Sequence, residues 1–151
     1  MRVTRNHVCA ALLVSLCLGG SPALAVDNMN SKDAPDLTSV RAKIKAADYK
    51  GALTELKVLA DTNQHADVYN LMGFSLRKLG DYPTALTFYK KALDFDADHK
   101  GAREYLGELY VETGNMEKAK EQLAVLAKLC PGGCEEREDL QKAINAKSAS
   151  N

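Results

Sequence analysis

The chain has 151 residues, with 20 Lys plus Arg against 20 Asp plus Glu, so its formal net charge is zero. This length suits one domain. A balanced, mixed charge supplies no basic face or stripe, so we expect no binding to nucleic acid and none to acidic lipid surfaces.

The first 25 residues have the three parts of a secretory signal peptide. Arg2 and Arg5 precede an apolar run, and small residues end the segment at Ala25. The run is about 11 residues long, which is too short for a membrane-spanning helix, so we expect no stable membrane anchor. A lipoprotein signal would use Cys17, but Leu16 stands where such signals carry a small residue. We therefore predict export, with cleavage after Ala25.

The polar segment that follows is predicted to be a flexible leader. Residues 26–35 lack periodicity and end in a proline. From Leu37 onward the apolar residues follow helical spacing, and residues 36–146 are predicted to form one all-α domain. The first repeat, about residues 33–65, is degenerate because it lacks the turn glycine of the later repeats.

The most informative feature of the remaining sequence is a unit that recurs at a spacing of 34 residues. Residues 66–99 align with residues 100–133. The matching positions are Gly73 with Gly107, Gly80 with Gly114, Asp81 with Asn115 and Ala85 with Ala119. Gly80 suits the end of a helix, since glycine adopts left-handed backbone angles at little cost. Asp81 can cap the next helix, whose first turn tolerates Pro83. Each unit is therefore predicted to be two antiparallel helices joined by a tight turn.

Residues 135–146 are predicted to form a capping helix, because the last repeat of a stack must have its apolar face covered. Leu140 and Ile144 share one face of this helix. Acids in its first turn suit the positive end of the helix dipole. Residues 147–151 are predicted to be a tail. The expected fold is thus an all-α solenoid of about three helix-turn-helix repeats with a C-terminal capping helix.

These repeats resemble the tetratricopeptide repeat (TPR) family. The residues of the second repeat that carry the resemblance are Tyr69, Met72, Gly73, Leu76, Gly80, Asp81, Tyr82, Ala85, Tyr89 and Ala92. The third repeat departs from the family pattern at Arg103, where a large apolar residue is usual, and at Leu126, where alanine is usual. The chain as a whole resembles small exported TPR proteins of Gram-negative bacteria. That resemblance implies a periplasmic protein that binds a segment of another protein.

The resemblance to TPR grooves assigns partner binding to the concave face made by the first helix of each repeat. The residues placed there are Leu37, Arg41, Asn70, Phe74, Arg77, Lys78, Glu104, Glu108 and Glu112. The three glutamates share one helix face, where like charges repel. One interpretation pairs them with Arg77 and Lys78 or leaves them solvated. The other is a polarised groove for a peptide with basic side chains and an apolar residue against Phe74.

Cys130 and Cys134 are the two thiols that remain after signal cleavage. In an oxidising compartment an even number of cysteines favours a disulfide, and the Pro-Gly-Gly turn between them can bring their α-carbons close enough. We prefer a disulfide that pins the capping helix. A redox-active pair and metal binding are the alternatives, although two thiolates do not complete a metal site.

Residues with catalytic potential are scarce. His65 and His99 precede successive repeats, and we expect both to be solvent-exposed loop residues. A zinc site that used both would need two further ligands. The sequence contains no phosphate loop, nucleophile elbow or metalloprotease motif, so we predict no enzyme, no cofactor and no metal site.

The leading hypothesis is an exported, non-catalytic TPR scaffold or adaptor that binds a peptide segment of another protein in its concave groove. The alternative is a thiol/disulfide redox-linked envelope protein that acts through Cys130 and Cys134. A third hypothesis is self-assembly into a homo-oligomer.

Overall fold

A computed structural model describes residues 34–149, and the predicted signal peptide and nearly all of the predicted leader lie outside that range. The described residues form seven α-helices. Their bounds are α1 Thr38–Lys45, α2 Tyr49–Thr62, α3 Ala66–Lys78, α4 Tyr82–Phe95, α5 Lys100–Glu112, α6 Met116–Leu129 and α7 Glu135–Ala149. The all-α fold class predicted from the sequence is confirmed.

The helices stack as three hairpins followed by α7. Each helix packs on the next one along the chain, α7 contacts both α5 and α6, and α3 also contacts α5. The apolar core has two parts. One surrounds Leu56 and Tyr69 between the first two hairpins, and the other surrounds Tyr89, Leu126 and Leu140 between the later hairpins and α7. Because a single hairpin cannot bury its own apolar face, stacking is what stabilises each repeat.

The turn inside each hairpin follows the stop and start signals of the sequence. Gly80 ends α3 with a φ of 83°, in the left-handed region. Asp48, Asp81 and Asn115 cap the second helices by accepting a hydrogen bond from a backbone N–H in the first turn. In the first hairpin Ala47 takes the place of the glycine with a φ of 58°, at a cost of about 1 kcal/mol for its Cβ. The degenerate first repeat therefore keeps the turn without the glycine.

Two glycines let large side chains reach the backbone of the first helices. A Cβ on Gly73 would lie 2.7 Å from the ring of Tyr89, and a Cβ on Gly107 would lie 2.4 Å from Cδ2 of Leu140. Both of the large side chains are completely buried. These glycines therefore set how closely α4 packs on α3 and how closely α7 packs on α5.

The two departures from the family pattern are accommodated in different ways. The guanidinium of Arg103 donates hydrogen bonds to the carbonyl of Ala97 at 2.9 Å and to Oε1 of Gln122 at 3.0 Å. Leu126 is completely buried in the second part of the core. Arg103 thus replaces apolar contact with hydrogen bonds, whereas Leu126 adds apolar volume.

The capping helix is longer than predicted. It ends at Ala149 rather than at about residue 146, so part of the predicted tail is helical. Leu140 and Ile144 are buried, as the apolar spacing predicts. None of the helices within the described range has the length and apolar character that a bilayer-crossing helix needs.

Candidate functional site

The predicted binding residues lie on two helices that contact each other. The helix α3 carries Asn70, Phe74, Arg77 and Lys78, and α5 carries Glu104, Glu108 and Glu112. Side chains from α1, α3, α5 and the start of α7 line a common pocket, so the first helix of each hairpin shares one face with the capping helix. We call this face the groove. It contains an ion-pair cluster, an aromatic pocket and an acidic pocket.

The ion-pair cluster is centred on Arg77, whose side chain is 2% exposed. Its Nη2 donates to Oε2 of Glu108 at 2.6 Å, and its Nη1 donates to Oε1 of Glu112 at 2.5 Å. Its Nε donates to the hydroxyl of Tyr89 at 3.3 Å. The structure therefore shows the pairing interpretation for Glu108 and Glu112. Contrary to the prediction of a partner-binding role, Arg77 is buried and joins α3 to α4 and α5.

The aromatic pocket lies beside this cluster. The ring centroids of Phe74 and Tyr105 are 4.9 Å apart, and Tyr49 meets Phe74 edge-on at 6.3 Å. The Nζ of Lys78 lies 5.3 Å from the centroid of Phe74. The pocket has a volume of about 210 Å³ and is lined by Arg41, Ile44, Lys45, Leu71, Phe74 and Tyr105. Its size and lining suit one apolar side chain.

The acidic pocket has a volume of about 310 Å³ and adjoins the aromatic pocket, with which it shares Arg41, Leu71 and Tyr105. Its carboxylates are Asp67, Glu104, Glu135, Glu136 and Asp139. Sequence reasoning missed the contribution of α7, because it interpreted the acids of the first turn only as favourable to the helix dipole. The missed signal is the position of α7 in the chain. It stands where the first helix of a fourth repeat would stand, and the first helix of each repeat lines the groove.

Two buried side chains in the acidic pocket lack partners. Glu104 is 8% exposed and makes no hydrogen bond or ion pair within the described part of the chain. Burial, followed by repulsion from carboxylates of α5 and α7, raises the pKa of Glu104 to about 8. Asn70 is 5% exposed, and its Oδ1 is buried without a hydrogen-bond donor from the described residues. The pocket therefore holds a largely protonated carboxyl and an unsatisfied amide oxygen at neutral pH.

The two histidines are helix caps, which corrects the expectation of solvent-exposed loop residues. The Nδ1 of His65 accepts from the backbone N–H of Asp67 at 3.2 Å, and the Nδ1 of His99 accepts from Ala102 at 3.1 Å. The Nε2 of His99 lies 3.1 Å from Oδ1 of Asp67, and this hydrogen bond lowers the pKa of Asp67. Because Nδ1 accepts, the neutral ring carries its proton on Nε2. The side chain of His99 is only 14% exposed.

Cys130 and Cys134 face each other across the turn between α6 and α7, with Cα atoms 6.0 Å apart. That separation suits a disulfide, which stays a prediction. Among residues 34–149 no three His, Cys, Asp or Glu side chains are grouped so that they could hold a metal ion.

Comparison with known proteins agrees with this architecture. A family model described as Tetratricopeptide repeat matches residues 76–132. The protein ycf37 of Guillardia theta is 33% identical over 63 residues, which make up 42% of this chain. The chain spans only 35% of the length of ycf37.

Two solved structures share the fold at low sequence identity. PcrH, crystallised in complex with the chaperone binding region of PopD, superposes with a TM-score of 0.62 at 16% identity, covering 74% of this chain and 87% of PcrH. The C-terminal TPR-containing domain of a Plasmodium falciparum FK506-binding protein gives 0.59 at 21% identity, covering 74% of this chain and 85% of that domain. The family model over residues 76–132 and the fold shared with both solved structures thus agree with the resemblance to the tetratricopeptide repeat family that the repeated residues carry.

Proposed function

We propose that this protein is a non-catalytic scaffold that binds a segment of another protein in the groove. The observation that carries the proposal is that two pockets of different chemistry adjoin on one face and share Arg41, Leu71 and Tyr105. A segment that lay across them would meet an apolar site and an acidic site together. The PcrH structure, which contains the chaperone binding region of PopD, supports this use of the fold.

The groove is built so that little ordering is needed when a segment binds. The ion pairs of Arg77 hold α3 against α5. The same guanidinium carbon lies 5.5 Å from the ring centroid of Phe74 and 5.7 Å from that of Tyr105, so it also supports the aromatic pocket. Fixed pocket walls reduce the entropy that a complex must lose, which favours binding.

Selection of displayed random peptides on the purified chain tests the proposal. A photo-crosslinking amino acid replaces Arg41, which is exposed and common to both pockets. In the matched control it replaces Val58, which is 63% exposed on α2 and lines neither pocket. We expect the selected peptides to crosslink from position 41 and not from position 58. Equal crosslinking from both positions, or failure to select any peptide, would refute the proposal.

Export and a disulfide between Cys130 and Cys134 belong to the same proposal. The first 25 residues have the pattern of a signal peptide, and in an oxidising compartment the oxidants present there would take two hydrogens from the two thiols and join them. The bond would pin the start of α7, which supplies acids to the groove. Intact mass of the protein from its own cells tests both points, through the loss of the signal peptide and of two hydrogens. A full-length mass would remove the export proposal.

A redox role is the second candidate, because Cys134 immediately precedes the N-terminus of α7. The positive end of a helix dipole stabilises a thiolate and so favours reactivity. Titration of the oxidised chain against a thiol redox buffer separates the two roles. A reduction potential below about −300 mV would mark the bond as structural and eliminate the redox candidate.

A further inference from the structure

We infer that the acidic pocket is a socket for one arginine or lysine side chain of the bound segment, and that the capping helix α7 supplies part of the socket. This inference rests on the proposed function and extends it, because it names the side chain that is recognised. It also identifies the groove end at which that side chain is held.

The charge of the pocket defines what it can accept. Five carboxylates line it, whereas Arg41 is the one lysine or arginine among the lining residues. Arg41 is exposed. Asp67 already has a partner in His99, at 3.1 Å. Asp139 accepts a hydrogen bond from Lys142 at 2.8 Å, whereas Glu104, Glu135 and Glu136 make no ion pair within the described residues. An entering cation would therefore meet attraction from several sides and an anion would be repelled.

Two side chains of the pocket without hydrogen-bond partners indicate that the ligand donates hydrogen bonds and does not only carry positive charge. Glu104 and Asn70 are both more than nine-tenths buried and both line the pocket. Oδ1 of Asn70 is a buried acceptor without a donor from the described residues, which is rare in folded proteins. A guanidinium brings five N–H donors and an ammonium brings three, with no acceptor in either group. A basic side chain therefore brings donors, and no acceptor, to a pocket whose lining offers Glu104 and Asn70.

The neighbouring aromatic pocket fixes the rest of the recognised segment. It shares Leu71 and Tyr105 with the acidic pocket, so the two sites are adjacent. An extended segment advances about 3.3 Å per residue. The segment that fits thus has a basic residue with an apolar residue close to it in sequence.

Binding of a cation should release a proton from Glu104. The charged or titratable groups that face it are Arg41 from α1, Asp67 from α3, His99, Tyr105 and Glu108 of the α5 segment, and Glu135, Glu136 and Asp139 from α7. Burial, followed by repulsion from the acids that predominate in this set, raises the pKa of Glu104 to about 8, so Glu104 holds its proton at neutral pH. An entering cation favours the ionised form. Affinity should therefore rise with pH up to about 8, by at most about tenfold per pH unit, and then level off.

The test uses two small probes, N-acetyl-arginine N-methylamide and its citrulline counterpart, which has nearly the same shape but no charge. Each is titrated into the full chain while the side-chain amide of Asn70 and the backbone amide of Gly101 are followed by NMR. We expect the arginine probe to bind at least about tenfold more tightly at pH 8, as charge-assisted hydrogen bonds require. Equal binding of the two probes would overturn the inference.

Matched variants test whether the arginine probe binds in the acidic pocket. Glu104→Gln and Glu136→Gln each remove one carboxylate from the pocket and should weaken the arginine probe, and Glu104→Gln should also flatten the pH dependence. Glu138→Gln removes the same charge from the same turn of α7, but outside the acidic pocket, and should leave binding unchanged. Equal weakening by all three variants would show that only overall charge matters, and this too would overturn the inference.

Three further outcomes separate the socket from other sites and from the proposed function. If calcium chloride produced the same shifts at a lower concentration than the arginine probe, the pocket would be a metal site and the inference would fail. If groove-selected peptides bound without any basic residue, the socket would fail while the protein-binding function stood. If the arginine probe bound but no peptide could be selected, the socket would stand and the proposed function would fail.

Discussion

Replacement of Arg77 by methionine should strongly destabilise the stack. The side chain is 2% exposed and joins three helices through Tyr89, Glu108 and Glu112. Methionine has a similar length and keeps most of the apolar contacts of the arginine stem. The substitution therefore removes the charge and the donors with little loss of volume.

The magnitude follows from what is left behind. The hydroxyl of Tyr89 lies in a completely buried side chain, and an unsatisfied buried polar group costs about 1–3 kcal/mol. The carboxylates of Glu108 and Glu112 lose their counter-charge, but their side chains are 24% and 38% exposed, so water recovers part of that loss. Together these terms predict a decrease of about 3–4 kcal/mol in the free energy of unfolding, within the range for breaking a buried ion pair.

Urea unfolding followed by circular dichroism measures this decrease at pH 7. Lys78→Met is the matched control, because Lys78 is the exposed neighbour on α3 and should change the free energy of unfolding by less than about 0.5 kcal/mol. Combining Arg77→Met with Glu108→Gln and Glu112→Gln removes the stranded charges and should recover roughly half of the loss. A loss below about 1 kcal/mol for Arg77→Met would refute the reasoning that the cluster joins the helices.

Three other changes test separate parts of the structure. Ala47→Gly relieves a left-handed alanine and should raise the free energy of unfolding by about 0.5–1 kcal/mol in urea; a decrease would contradict the assigned turn. Gly107→Ala should lower it by about 1–3 kcal/mol through the clash with Leu140, and amide exchange should quicken first in α7; unchanged exchange there would count against the packing described. The raised pKa of Glu104 means that folding favours its protonated form, so this stabilisation is complete at acidic pH and is lost as pH rises through about 8. Glu104→Gln should therefore match the parent chain below the unfolded pKa of 4.5 and exceed its stability by about 1–2 kcal/mol above pH 8, after allowance for solvent screening; a difference independent of pH would exclude the assigned titration.

Much of the fold could be predicted because its signals are local. Gly80 ends a helix and Asp81 starts the next through contacts within three or four residues, which sequence spacing displays directly. The apolar positions that recur with the repeat, such as Ala52, Ala85 and Ala119, are ones that the core buries completely. Local signals are silent on one point, the left-handed backbone of Ala47, because the packing of the repeat imposes angles that alanine itself does not favour.

The chemistry of the groove could be predicted only in part. Sequence placed Arg77, Glu104 and Glu108 on one face but could not choose between mutual pairing and exposure to a partner. Arg77 and Glu108 are 31 residues apart in sequence and 2.6 Å apart in space. Glu104 lies on the same helix face as Glu108, yet it is left without a counter-charge. Which carboxylate is paired depends on how the helices are offset against each other.

The amino-acid sequence by itself determined the repeat, the hairpins and their caps, and it carries the resemblance to the tetratricopeptide repeat family, since helix signals act over single turns and recur with the repeat. The tertiary structure alone decided that Arg77 is an internal tie, that His99 is a cap, and that α7 completes an acidic pocket around Glu104. These roles arise because stacking brings side chains from distant segments within a few ångströms, where burial and charge change their properties.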